Sequence, residues 1–245
     1  MSFIFNAIKI IFLLGFLIFI HESGHFLVAK KCKVKVNRFA IGFGPTIWKK
    51  QWKDTLYELK AIPLGGFVSM EGEEKHSDAD GSFSNTSLPK KIAIVAAGGL
   101  VNIIFGLLTF WILSSVYYGN ILDGLNNTAR FLTLTMDSLA QLFTGKAQLN
   151  QLTGPIGIST MVAQTDGIFD FIHLLSVISV SLGITNLLPV PPLDGGKILI
   201  YIIEGIIRKP IKESTEYGIQ ILGFTAMIAL SIFVAYNDVA KLFIR

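Results

Sequence analysis

Two histidines and a glutamate, His21, Glu22 and His25, stand inside the stretch LIFIHESGHFLVAKKCK, residues 17–33. The pattern is H-E-x-x-H. Residues four apart share a face of a helix, so His21 and His25 can offer two ring nitrogens to one metal ion. Glu22 then lies beside them as a base for an attacking water. The flanking residues are apolar, and an ionised side chain at membrane depth costs about 2.5–3.5 kcal/mol even on a lenient insertion scale. Three such groups together call for a water-accessible cavity and for chemistry, not for contact with lipid.

A catalytic zinc takes three protein ligands and leaves one position open, so a third ligand must come from elsewhere in the chain. Near the other apolar segments the choices are Asp123, Asp170, His173, Asp194 and Glu204. Asp194 is set apart by its neighbours, TNLLPVPPLDGGKIL. Pro189, Pro191 and Pro192 interrupt a helix, and Gly195 with Gly196 permits unusual turns. A helix broken at membrane depth exposes backbone and a carboxylate, which is tolerated only against a cavity. His173 reads as a packing or interfacial histidine, Glu204 as a side chain reaching the headgroups, and His76 as a solvated loop residue. Cys32, the single cysteine, excludes an internal disulfide and any cysteine-rich metal site.

The elements that must hold these residues follow from composition. The chain has 245 residues, 51% hydrophobic and 16% charged, with a mean hydropathy of +0.59, too apolar for an ordinary soluble domain. Four stretches approach the roughly 20 residues that cross a hydrocarbon core, and they place spans at about 2–29, 92–117, 171–207 and 217–237. The expected fold is mainly α: a polytopic membrane protein with four transmembrane helices and a small membrane-associated β region at about 34–70, between the first and second. All of 1–245 is expected to form one domain. No small-residue cleavage site follows the N-terminal apolar run, so it reads as a retained span and not a signal peptide.

Within the first connection, KVKVNRFAIGFGPTIW and TLYELKAIPLGGFVSM alternate apolar and polar residues, the mark of strands. Residues 71–90 read as a loop, and Leu132, Met136, Leu139 and Phe143 fall at helical spacing, which predicts an amphipathic helix at about 129–147. That helix either lies on the outer membrane face or packs on the spans. The formal charge is +4, but the basic residues form no nucleic-acid-binding stripe. They crowd between Lys30 and Lys91 and recur at Arg208, Lys209 and Lys212. The positive-inside rule then puts both termini outside the cytoplasm. His21 precedes Lys30 by nine residues and Asp194 precedes Arg208 by fourteen. At about 1.5 Å per residue these are depths of roughly 14 Å and at most 21 Å, so a shared site beneath the cytoplasmic surface is feasible.

With these motifs in hand, the chain closely resembles the site-2 protease family of intramembrane zinc metalloproteases, of the bacterial regulator of sigma-E protease type. The resemblance rests on HESGH, AIGFGP, AIPLGGFVSM, GLVN, QLTGPIGI and NLLPVPPLDGG. It implies His21, His25 and Asp194 as zinc ligands, Glu22 as the catalytic base, and Asn186 as a contact for substrate or the oxyanion. It also implies that the strand region guides an extended substrate, which strand addition makes physically reasonable. The implied substrates are single-span membrane proteins in the plasma or inner membrane, such as anti-sigma factors or signal-peptide remnants, after an upstream site-1-type protease. Relatives of this type commonly carry PDZ modules between the second and third spans, but residues 118–170 leave no room for one.

Two other readings belong to different classes. Broken helices with polar residues at depth also build metal-ion transporters, although four spans without a repeat suit alternating access poorly and give Glu22 no task. An inactive scaffold that binds membrane segments is the other, and an intact base and ligand set argue against it.

Overall fold

A computed structural model describes residues 2–73, 75–144 and 154–243. Long apolar runs become long helices: α1 (Ser2–Lys31), α2 (Leu88–Tyr118), α5 (Ile168–Asn186) and α7 (Glu213–Phe243). Each contains a segment long and apolar enough to cross a membrane, namely Ile4–Lys31, Leu88–Tyr118, Ile168–Asn186 and Ser214–Val239. Between α1 and α2 lie β1 (Val36–Trp52) and β2 (Thr55–Met70). The mainly α membrane fold with a small sheet in the first connection is therefore as the sequence predicts.

The third apolar region divides at its prolines. α5 closes through Leu187 N–H to Gly183 O at 3.3 Å and Leu188 N–H to Thr185 O at 3.1 Å, and a separate helix, α6, runs over Asp194–Ile207. Only α5 of this region is a membrane-crossing helix, so the expected span at 171–207 is replaced by a span and a second, shorter helix. Gly195 and Gly196 allow the first turn of α6 to lie against the backbone of Leu187, Leu188, Val190 and Pro191, where a Cβ would collide.

Residues Ile11–Ile103 and Leu182–Leu222 form one compact unit. Its sheet doubles on itself. The first half of β1 pairs Val36 with Met70 through Ile41 with Gly66, and the second half pairs Trp48 with Leu59 through Trp52 with Thr55. The turn between the halves uses Gly42 and Gly44, at φ 92° and 82°, a region that side chains rarely adopt. Glu58 ties the halves together, accepting from Arg38 Nε at 2.9 Å and Nη2 at 2.6 Å, and from Thr46 Oγ1 at 3.3 Å. Behind the sheet, Ala29, Val34, Val36, Phe39, Val68, Met70, Phe83, Ile94 and Val95 make a buried core. Cys32 packs against it as an ordinary half-buried thiol.

The second unit comprises Met1–Ile10, Ile104–Ser181 and Gly223–Arg245. Here α3 (Ile121–Phe143) starts earlier than the pattern suggests, because the Asn120 side chain accepts from Leu122 N–H at 2.9 Å and caps the first turn. Positions 145–147 of the expected helix lie outside the described residues. One face of α3 packs on α2, with Phe131 stacked on Phe110 at 4.4 Å and Asn127 donating to Ser114 at 3.1 Å. Leu122, Leu125, Leu134 and Met136 remain exposed. His173 lies against Phe110, ring centroids 5.1 Å apart, the packing role expected of it.

A short helix that apolar periodicity does not announce, α4 (Pro155–Ala163), begins at a proline and is anchored where Gly154 and Gly157 N–H groups donate to Asp238 Oδ2, both at 2.9 Å. Lys9, the lone charge of the first apolar run, donates to the Thr165 carbonyl and hydroxyl at 3.1 and 3.0 Å.

Candidate metal centre

α1 carries His21 and His25 one turn apart, and α2 supports them from behind. The two helices meet closely because Gly24 presents only hydrogen toward Ala97, whose carbonyl oxygen would lie 2.5 Å from an added Cβ. Gly98 does the same beneath the imidazoles: a Cβ there would sit 2.7 Å from His25 Cε1 and 2.8 Å from His21 Cε1. α6 brings Asp194 from the opposite direction at its first turn, where the helix dipole favours a carboxylate.

The three side chains converge. His21 Nε2 and His25 Nε2 are 3.2 Å apart, and Asp194 Oδ2 lies 3.2 Å from the first and 3.3 Å from the second. Donors held about 2.0–2.2 Å from a tetrahedral ion are themselves about 3.3–3.6 Å apart, so the spacing suits zinc. The donor chemistry agrees. His25 Nδ1 is 2.9 Å from the Ile94 carbonyl; it therefore carries the proton, and the Nε2 lone pair faces the cluster. Asp194 Oδ2 is buried yet makes no hydrogen bond despite its close neighbours, as expected of lone pairs arranged around a cation. Among the described residues these three form a group able to hold a metal ion.

Glu22 is 8% exposed and opens on the same cavity, about 660 Å3 in volume, which His21, His25 and Asp194 also line. One wall is the Gly66–Met70 segment of β2. The strand approaches Glu22 closely, since a Cβ on Gly66 would lie 2.9 Å from Glu22 Cγ. A strand edge at membrane depth needs such a shielded or wet setting. Asn186 ends α5, half-buried, and is not part of the cavity lining. His76, by contrast, is a surface residue paired with Asp78 at 3.1 Å. Glu204 accepts from Ile211 N–H at 2.8 Å; it closes the connection after α6 instead of reaching outward.

The sequence profile of peptidase family M50 matches residues 9–230. The chain belongs to peptidase family M50. This is the site-2 protease family that the motifs suggest, and it makes the chain a membrane zinc metalloprotease. A Clostridium acetobutylicum protein provisionally named a zinc metalloprotease is 27% identical, with 98% of each chain covered. The zinc metalloprotease RasP of Geobacillus kaustophilus is 22% identical over 98% of this chain and 99% of its own. RasP of Shouchella clausii is 32% identical over 78% of this chain and 44% of its own. The alignment to the Clostridium protein runs over 334 positions against 245 residues here, so that M50 relative carries stretches this chain lacks.

Other residues of this M50 site escaped the sequence reading. Lys197 donates to Glu73 Oε1 at 3.1 Å, and both line the cavity with Tyr201. Lys197 falls one turn after Asp194, a spacing that could have flagged it. Asn102, fully buried, stands with its amide 3.5 Å from His21 Nδ1. Its signal was a polar side chain in the apolar run of α2.

Proposed function

We propose that this protein hydrolyses peptide bonds in or near the transmembrane segments of single-span membrane proteins, with His21, His25 and Asp194 holding zinc and Glu22 as the base. The observation that carries this reading is the convergence of three ligand atoms beside a buried glutamate in a cavity edged by a strand. His21, His25 and Asp194 would hold a zinc ion there, which would supply Lewis-acid polarisation of the scissile carbonyl and a lowered pKa, toward about 7, for an attacking water.

The chain's own residues do the rest. Glu22 accepts the proton of the attacking water and returns it to the leaving amine. The Gly66–Met70 edge receives the substrate as an added strand, holding it extended with its carbonyls free of helical hydrogen bonds. Asn186 serves the oxyanion in this reading, which requires α5 to bring it nearer the cavity once substrate is bound. The charge bias of the connections supports a site that opens toward the cytoplasm, both termini on the other side of the plasma or inner membrane, and substrates already trimmed by a site-1-type protease.

Family membership argues against the transporter and inert-scaffold alternatives. The test incubates purified protein in detergent with a panel of single-span segments, with and without helix-breaking residues at the inner end. Cleavage inside the segment, faster with helix breakers and abolished by a zinc chelator, supports the proposal. Cleavage confined to soluble flanks, or indifferent to chelation, contradicts it.

A further inference from the structure

We infer that Asn102 is the positioning residue that fixes the ring orientation and proton of His21, by accepting a hydrogen bond from Nδ1–H through its side-chain oxygen. The inference rests on the ligand assignment proposed above. His21 Nε2 faces His25 Nε2 and Asp194 Oδ2 at 3.2 Å each. A neutral imidazole that gives one nitrogen to a metal carries its proton on the other, so His21 Nδ1 is a donor and needs an acceptor. The atom facing it is Asn102 Nδ2, at 3.5 Å, a donor that cannot accept from Nδ1–H. Oxygen and nitrogen of such an amide exchange by a half-turn of the side chain, and the hydrogen-bonding network decides between them. With Nδ1–H in place, the oxygen turns toward His21.

His25 has the matching arrangement, its Nδ1 donating to Ile94 O at 2.9 Å. Ile94, Gly98 and Asn102 succeed one another at intervals of four along α2, a single stripe that gives a carbonyl to one ligand, a carboxamide to the other, and room for both rings between. Asn102 is 0% exposed, so water cannot replace it cheaply, and a wrongly turned imidazole would leave a buried donor unmet.

The test measures zinc affinity of the purified full chain in detergent by competition with a chelator of known strength. Wild type, His25→Ala, Asn102→Leu and Asn102→Asp are compared, with thermal unfolding of each zinc-free protein recorded. Asn102→Leu keeps the side-chain bulk and removes the acceptor; affinity is expected to fall about 10- to 100-fold, with a changed absorption spectrum on cobalt substitution. Asn102→Asp keeps an acceptor and is expected to bind as tightly as wild type or tighter. A folded Asn102→Leu protein with wild-type affinity overturns the inference. Should that variant not fold, a tenfold or greater loss in folded Asn102→Asp overturns it alone. The ligand assignment fails separately, if wild type binds no zinc or His25→Ala binds it undiminished.

Discussion

Lys197, one turn beyond Asp194 in α6, reaches back to Glu73 in the loop after β2, Nζ to Oε1 3.1 Å. The pair joins the element that carries Asp194, the proposed carboxylate ligand, to the end of the strand that edges the cavity. The side chains are partly exposed, at 34% and 18%, so water screens the pair in part. Glu73→Gln is expected to lower stability by up to about 1 kcal/mol, and Lys197→Met on top of it to recover part of the loss. Denaturation of the single and double variants in detergent measures this; equal stability of all forms would show the pair to be inert.

Gly98→Ala is expected to empty the metal site. Its methyl group would enter the space of both imidazoles, and the contact is between a helix backbone and rings that cannot move without leaving the cluster. Zinc content by elemental analysis should fall well below one per chain. Gly218 in α7 meets nothing within 4 Å of an added Cβ, so Gly218→Ala serves as the neutral control, with a gain of up to about 1 kcal/mol in helix stability.

Gly66→Ala should separate binding from turnover. The new methyl group would lie 2.9 Å from Glu22 Cγ and 2.9 Å from the Ala40 carbonyl, far from no part of the base yet outside the ligand set. Zinc is expected to remain stoichiometric while cleavage drops by at least tenfold, since displacing a base by about 1 Å costs on that order or more. Loss of zinc together with activity would show that the strand supports the ligands as well.

Acid should loosen the loop after β2. Hydrogen bonds from Asn37 Nδ2 at 2.9 Å and Ser77 Oγ at 2.8 Å hold the Glu71 carboxyl below its ordinary value of 4.5. A carboxyl depressed in the folded state stabilises above its unfolded pKa, and that contribution fades as pH falls through the folded value. Hydrogen-exchange protection across residues 75–84, corrected for the pH dependence of the intrinsic rate, should therefore be steady from neutral pH to about 5 and fall below the ordinary carboxylate range. Asn37→Leu should move the onset upward in pH; an unchanged onset would deny Glu71 this role.

How far the site could be read in advance depended on whether local pattern or tertiary approach decided each part. The convergence of His21 and His25 was legible because helical period alone fixes their shared face, with Glu22 beside it. Asp194 was legible because prolines and glycines mark a broken helix wherever it sits. The Asn102 contact was not, because it exists only through the close approach of α1 and α2 at Gly24 and Ala97, which no single segment encodes. The sheet was half legible: alternation announces strands, yet it does not say that β1 bends at Gly42 and Gly44 so that both halves meet β2. α4 has no apolar period of its own and depends on Asp238, distant in sequence, to hold its first turn.

The most direct measurement sets wild type beside Glu22→Gln, assaying bound zinc and cleavage of a single-span substrate on the same preparations. Glu22 lines the cavity without belonging to the ligand group. The account predicts one zinc per chain in both proteins, with cleavage in wild type and a loss of at least a hundredfold in the variant. Zinc-free wild type, or cleavage that survives Glu22→Gln, would contradict it.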